Sequence, residues 1–235
     1  MTTGKSLYCK LSRLDREIMR TILILNPKGG CGKSTLATNI AGYFALQGKR
    51  VALADCDQQG SSRDWLAVRP DRLARIGLAE LKNGALQVGK STEILVMDSP
   101  AGLHDKKLVN IARAAQTAVI PVLPSPIDIR AAEHFLAELV SLRNSISRKI
   151  KIATVANRVR EDTIVAAKLE YYLEKLRLPN GRKIPFMTVL RASQNYIYAA
   201  GSGMTIFELA PSKTYYDREQ WEPLLRWLAS SRSIP

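Results

Sequence analysis

The stretch Thr21-Ile22-Leu23-Ile24-Leu25-Asn26-Pro27-Lys28-Gly29-Gly30-Cys31-Gly32-Lys33-Ser34-Thr35 decides the fold. Its first six residues are a short apolar, β-prone run. Pro27 to Cys31 then bends the chain, and Leu36, Ile40 and Phe44 with Ala37, Ala41 and Ala45 follow at helical spacing. Strand, glycine loop, helix is the order that a phosphate-binding loop requires. Glycines let backbone N–H groups turn inward, and the helix N-terminus faces the anion.

The letters GKST recur at Gly89-Lys90-Ser91-Thr92, and GKS stands at Gly4-Lys5-Ser6. The first of these precedes the apolar run Ile94 to Met97 instead of following one, so Lys90 is expected on a solvated turn. Gly4 follows no strand. Only the loop at Lys28 to Thr35 has the surroundings that its chemistry needs.

Working outward, 235 residues can bury one large core, and no Pro/Gly/Ser-rich linker or shift of composition divides the chain. One domain is expected over residues 19–235, closed by a C-terminal helix at about 217–230. Residues 1–18 read as a basic extension of net charge +2, or as a mis-assigned start if Met19 is the true one. They lack the apolar core of a signal peptide. At 46% apolar residues the composition is that of a soluble protein, and no stretch approaches the length of a membrane span. Cys9, Cys31 and Cys56 are odd in number and show no paired ligand spacing, which points to the cytoplasm. Cys31 and Cys56 lie near the expected phosphates, where a buried small residue is the simpler reading than a redox role. His104 and His134 have no second metal ligand at useful spacing and read as surface residues.

Further apolar runs occur at Arg50 to Ala54, Ile94 to Met97, Thr117 to Leu123, Lys151 to Ala156 and Pro185 to Leu190. Amphipathic helical patterns lie between them, such as Ala132, Phe135, Leu136, Leu139, Leu142 and Ile146. This alternation predicts an α/β fold with a doubly wound, mostly parallel sheet covered by helices on both faces. Functional groups then belong at the C-terminal ends of the strands. Lys28, Asp55, Asp57, Asp98, Ser125 and Asn157 all fall there.

In such a crevice Lys33 is expected against the β- and γ-phosphates, with backbone N–H groups from Gly30 to Thr35 around the oxygens. The Ser34 hydroxyl is suited to ligate Mg²⁺, and Thr35 to reach the α-phosphate. Mg²⁺ is typically held by few protein oxygens, with carboxylates on its waters. Asp55 and Asp98, at neighbouring strand tips, suit that role. Asp57, two residues beyond Asp55, is better placed to orient or deprotonate an attacking water, although it also stands where a helix N-cap would.

Lys28-Gly29-Gly30-Cys31-Gly32-Lys33-Ser34-Thr35 resembles the deviant Walker A motif K-G-G-x-G-K-[ST]-[ST] of the ParA/MinD family of ATPases. Asp55-Cys56-Asp57-Gln58-Gln59-Gly60-Ser61 is similar to the family's D-x-D-P-Q-G-[NS]. Asp98-Ser99-Pro100-Ala101-Gly102 looks like its Walker B, and Asn157-Arg158 stands where the family has its adenine-contacting N-R. Gln58 replaces the usual proline and Cys31 the usual valine; neither change removes a charged or Mg-linked group. The resemblance runs from about Met19 to about Leu209. It implies an ATP and Mg²⁺ site and an ATP-sandwich homodimer in which Lys28 crosses to the nucleotide of the other subunit. It also implies a partner that stimulates hydrolysis, a cargo adaptor of ParB or analogous type.

The resemblance leaves two surfaces open, non-specific DNA on the nucleoid and the membrane. The chain carries 35 Lys plus Arg against 21 Asp plus Glu, a net of +14, the footprint of a polyanion partner. Arg143 to Arg191 alone holds twelve basic and four acidic residues. Arg148, Lys149, Lys168, Arg182, Lys183 and Arg191 are candidates there, joined by Lys151, Lys175 and Arg177, and no recognition-helix motif is visible. The apolar tail Trp221 to Leu228 raises the membrane alternative, but Lys213 to Pro235 nets only about +1, where an interfacial helix is rich in Lys and Arg. Iron–sulfur carriers with this loop need late cysteines, and none follows Cys56; a tyrosine kinase of the class would carry a terminal tyrosine cluster, and Tyr215-Tyr216 is only a pair. The absence of a preceding helix-turn-helix region makes the short ParA type the nearer likeness. Its expected role is plasmid or chromosome partition, or the positioning of a compartment such as a carboxysome.

Overall fold

Strand β1 (Arg20–Ile24) runs up the middle of the sheet because its side chains are apolar on both faces. Alternation sends Ile22 and Ile24 into one hydrophobic core and Leu23 and Leu25 into a second one on the other face. The computed structural model describes residues 19–82, 85–142, 150–178 and 181–235. Beyond β1 the strands are β2 (Val51–Asp55), β3 (Ile76–Lys82), β4 (Ala85–Gln87), β5 (Ile94–Asp98), β6 (Thr117–Val122), β7 (Lys151–Val159) and β8 (Phe186–Arg191). They form one sheet in the order β4-β3-β2-β5-β1-β6-β7-β8, in which every pair is parallel except β3 with β4. The doubly wound, mostly parallel sheet read from the sequence is therefore the observed one.

The connections are helical: α1 (Lys33–Leu46), α2 (Ser61–Ala67), α3 (Asp105–Ala112), α4 (Pro126–Ser141), α5 (Ile164–Lys175), α6 (Gln194–Gly201) and α7 (Pro211–Ala229). Leu36, Ile40 and Phe44 of α1 share one core with Trp221, Leu224, Leu225, Trp227 and Leu228 of α7. Leu108 of α3, Phe135 and Leu139 of α4 and Leu169 and Leu173 of α5 share the other. The apolar side of α7 is thus spent inside the protein, with Trp221 wholly buried. Among the described residues no helix is long and apolar enough to cross a membrane.

Strands β3 and β4 carry no clear signal in the sequence. In β3 the run Ile-Gly-Leu-Ala-Glu-Leu-Lys has a glycine near its start, which weakens strand propensity, and Leu78 is 42% exposed. Register, by contrast, is tight where it matters. Strand β2 lies directly beside β5 with Asp55 opposite Asp98, and β1 fills the place between β5 and β6. The chain leaves β1 to one side of the sheet and returns for β6 on the other, which opens a crevice at the C-terminal strand ends.

Candidate functional site

The turn after β1 is built by side chains that hold backbone in place. Buried Asn26 donates from Nδ2 to the Pro121 carbonyl (2.7 Å), and its Oδ1 accepts the Lys28 N–H (2.8 Å). The loop therefore starts from a fixed point between β1 and β6. Gly30 and Gly32 adopt φ of 74° and 89°, which side chains rarely tolerate. Gly32 caps α1 without any side chain, so the first-turn amides of the helix are left to an external acceptor. Lys33, 7% exposed, donates from Nζ to the Lys28 carbonyl (3.0 Å) across the loop. Cys31 donates its thiol to the same carbonyl (3.3 Å), and burial pushes its pKa up, which keeps it a thiol.

Opposite stands the carboxylate pair. Asp98 is 1% exposed, and among the described residues neither of its oxygens has a hydrogen-bond partner. Burial pushes its pKa up to about 6; the nearby Ser34 and Ser62 hydroxyls and the Lys33 ammonium favour the anion, while Asp55 opposes it. A buried carboxylate with the Ser34 and Ser62 hydroxyls near but not in hydrogen-bond geometry, beside a second carboxylate, is a set of hard oxygens short of a cation, and it fits Mg²⁺. Asp55 also organises backbone. Its oxygens accept the N–H groups of Asp57 (3.0 Å) and Arg63 (2.9 Å), which folds the 55–63 turn back to the start of α2. Asp57 accepts the Gln59 N–H (3.0 Å), and with Asp55 it lines a cleft of about 1360 Å³ shared with Gly30, Lys33, Ser34 and Thr35.

The Walker B-like segment joins this frame through the Gly102 N–H, which bonds the Pro27 carbonyl (2.7 Å). Lys28 points away from the cleft to Asp128 on α4, Nζ to Oδ1 2.7 Å. Ser125, at the tip of β6, caps α4 by accepting the Asp128 N–H (3.1 Å). Asn157 and Arg158 end β7 at a register shift against β8. Asn157 donates to the Cys31 carbonyl (2.8 Å), and Arg158, at φ 52°, reaches the Gly30 carbonyl (3.4 Å). Gly29, Gly30, Gly32, Lys33, Ser34, Thr35, Asp55, Asp57, Asn157 and Arg158 thus line one crevice, with Cys31 and Asp98 buried behind its wall and the Lys28 side chain turned out of it to Asp128. Asn26 and Asp128 are the members that sequence reasoning missed, because a strand-end Asn and a first-turn Asp look like ordinary turn and cap residues.

The basic candidates are spread out. Lys168 stands on the exposed side of α5, and Arg182 and Lys183 on the exposed turn before β8. Arg191 lines the cleft, where its Nε pairs with the wholly buried Asp217 Oδ1 (2.6 Å) and its guanidinium lies 4.8 Å from the Tyr216 ring centre. Asp217 holds the Arg191 pKa up and offsets its charge. Arg148 and Lys149 lie outside the described residues, as do residues 1–18. His104 accepts or donates at Glu138 (2.8 Å) on the surface, and no group of three metal-ligating side chains occurs among the described residues. Lys90 lies exposed on the turn closed by Thr92 N–H to Gly89 carbonyl (2.9 Å).

Comparison with known proteins agrees with this geometry. "Maintenance of carboxysome distribution protein A" of Gloeobacter kilaueensis is 31% identical over 195 residues, 80% of this chain and 84% of that protein. "Chromosome-partitioning ATPase Soj" of Thermus thermophilus is 27% identical over 231 residues, 84% of this chain and 91% of that one. An ATP complex of Cyanothece McdA superposes with a TM-score of 0.64 at 17% identity, over 88% of this chain and 96% of that one, a likeness of fold. Residues 22–206 match the CobQ/CobB/MinD/ParA nucleotide binding domain, and the loop from Lys28 to Thr35, the carboxylates Asp55, Asp57 and Asp98 and the Asn157-Arg158 end of β7 all fall inside that span: the chain belongs to this family.

Proposed function

We propose that this chain is a ParA-type ATPase that dimerises on ATP, binds DNA without sequence preference and positions or segregates a cargo through partner-stimulated hydrolysis. The observation that carries the ATPase part is the unsatisfied Asp98 carboxylate, in register with Asp55 and beside Ser34 at the mouth of the Lys33 loop. Ser34, Asp55 and Asp98 would hold Mg²⁺, which would supply positive charge to offset that of the phosphates. Lys33 exchanges the Lys28 carbonyl for the β- and γ-phosphates, and the N–H groups of the first turn of α1 cradle their oxygens. Asp57 orients the attacking water or takes its proton. Lys28, turned out of the crevice toward Asp128, is the group that would cross to the other subunit of an ATP-sandwich homodimer.

The positioning part rests on the relatives, named for carboxysome distribution and for chromosome partitioning. The cargo is accordingly a plasmid or chromosome, or a protein compartment, and the stimulating partner a ParB-like or analogous adaptor. A cytoplasmic, nucleoid-associated protein follows from this reading. The net charge of +14 supports DNA as the surface, with Lys168, Arg182 and Lys183 exposed and Arg148 and Lys149 as further candidates. Burial of the apolar side of α7 argues against the MinD-like membrane alternative, since the tail has no apolar stripe left to offer a bilayer.

The test is binding of the purified protein to random-sequence duplex DNA and to anionic liposomes, with ATP and with ADP, across a salt series. ATP-dependent DNA binding that weakens with a slope near −0.9 per neutralised phosphate is the expected result. Liposome binding without DNA binding would overturn the DNA reading in favour of a membrane one.

A further inference from the structure

The end of β7 touches the phosphate loop at two consecutive carbonyls. Asn157, 5% exposed, donates from Nδ2 to the Cys31 oxygen at 2.8 Å, and the Arg158 Nη1 reaches the Gly30 oxygen at 3.4 Å. The contact is close enough that a Cβ on Gly32 would come within 2.2 Å of the Asn157 Nδ2. Arg158 holds a left-handed backbone, and the β7–β8 register shifts between Ala156 and Val159, so the chain departs from regular strand geometry where it meets the loop.

Geometry gives this contact a consequence. In a planar trans peptide the C=O and N–H point in opposite directions. Drawing the Gly30 and Cys31 carbonyls toward β7 turns the N–H groups of Cys31 and Gly32 away from it. Successive amides turned one way between left-handed glycines form a concave set of donors suited to anions. We propose that Asn157 is a positioning residue for the phosphate loop: its amide fixes the Cys31 carbonyl and thereby presents the Cys31 and Gly32 N–H groups to the phosphates. This role is separate from the adenine contact implied by family resemblance for Asn157-Arg158, and it rests on the phosphate-binding reading of the loop. It acts on any polyphosphate, whatever base is attached.

The distinguishing experiment is calorimetric titration of the full chain, in Mg²⁺ buffer, with ATP and with inorganic tripolyphosphate. Wild type, Asn157→Ala and the near-isosteric Asn157→Leu are compared; the leucine lacks the donor, keeps the shape and adds no charge beside the phosphates, so it serves if the alanine variant fails to fold. A buried carbonyl left without its donor weakens the loop, and both ligands are expected to lose affinity by the same factor, on the order of tenfold. On addition of tripolyphosphate the Cys31 and Gly32 amides should gain less protection from hydrogen exchange in the variants than in wild type, with protection along β7 the same in all three. Weaker ATP binding with tripolyphosphate unaffected would place Asn157 on the base and overturn the proposal, as would unchanged affinity for both. Wild-type protein that binds neither ligand would instead remove the phosphate-binding reading on which the proposal stands.

Discussion

The Lys28 ammonium lies 2.7 Å from the Asp128 carboxylate of its own chain, so the lysine proposed to act in trans is held in cis. Lys28 is 36% exposed and Asp128 10%, which makes the pair partly screened and worth about 1 kcal/mol. Moving Lys28 to a second nucleotide first breaks this pair in each subunit. Asp128→Asn keeps the size of the side chain and its place after Ser125 but removes the charge. The expected outcome is ATP-dependent dimerisation at protein concentrations lower by about fivefold per released lysine, read by analytical ultracentrifugation. Dimerisation no easier than in wild type would show that the cis pair does not restrain Lys28. Lys28→Ala should abolish partner-stimulated hydrolysis, since a trans-acting cation is worth on the order of 10³ to 10⁵ in rate.

The two GKST sequences offer an internal control. Lys33 is buried in the loop and already donates to its backbone, whereas Lys90 is exposed on a turn. Lys33→Ala is expected to abolish ATP hydrolysis, and Lys90→Ala to leave it within experimental error of wild type. An ATPase assay in which the two variants lose activity alike would show that the phosphate site lies elsewhere.

Asp57 accepts the Gln59 N–H within its own turn and lines the cleft. Asp55 holds that turn together, with its oxygens on the Asp57 and Arg63 amides. The two aspartates should therefore separate in experiment. Asp57→Ala is expected to keep ATP affinity, slow single-turnover hydrolysis by about 10² to 10⁴ and accumulate an ATP-bound dimer. Asp55→Ala should lower the thermal midpoint as well, because two backbone amides lose their acceptor. Equal melting temperatures for the two variants would remove this division of labour.

The parts legible in the sequence are those in which local pattern and chemistry coincide. From Thr21 to Thr35 the apolar period changes from strand to helix across a glycine loop, and both the central strand and the anion site follow from that change. Asp55 and Asp98 each end an apolar run, so their meeting in register needs only that the two strands pair. Asp128 was not legible, because its contact with Lys28 spans a hundred residues and exists only when β6 lies beside β1. The grip of Asn157 on Cys31 depends in the same way on β7 reaching the loop from 126 residues further along the chain. Strand β3 escaped for a different reason: near the sheet edge it exposes Leu78 and carries Gly77 and Lys82, so neither alternation nor propensity marks it. Arg191 looked in sequence like any other basic residue, and only the fold reveals the wholly buried Asp217 that balances it.

The pKa of Asp98 predicts how the metal-free protein responds to pH. Burial raises it from 3.8 to about 6, so between these values the folded state holds a proton that the unfolded chain has released. Stability contributed by this group is complete below the unfolded value of 3.8 and is lost as pH rises through about 6. At 1.36 kcal/mol per unit the loss is on the order of 3 kcal/mol. Asp98→Asn mimics the protonated acid and should remove this dependence, so wild type is expected to lose stability relative to the variant between about pH 4 and about pH 7. Urea unfolding of both proteins at the two pH values, in chelator, measures the difference directly. A difference that stays constant, or grows in favour of wild type as pH rises, would mean that Asp98 is stabilised as an anion without any cation, and the case for a Mg²⁺ site built on its unmet charge would fall with it.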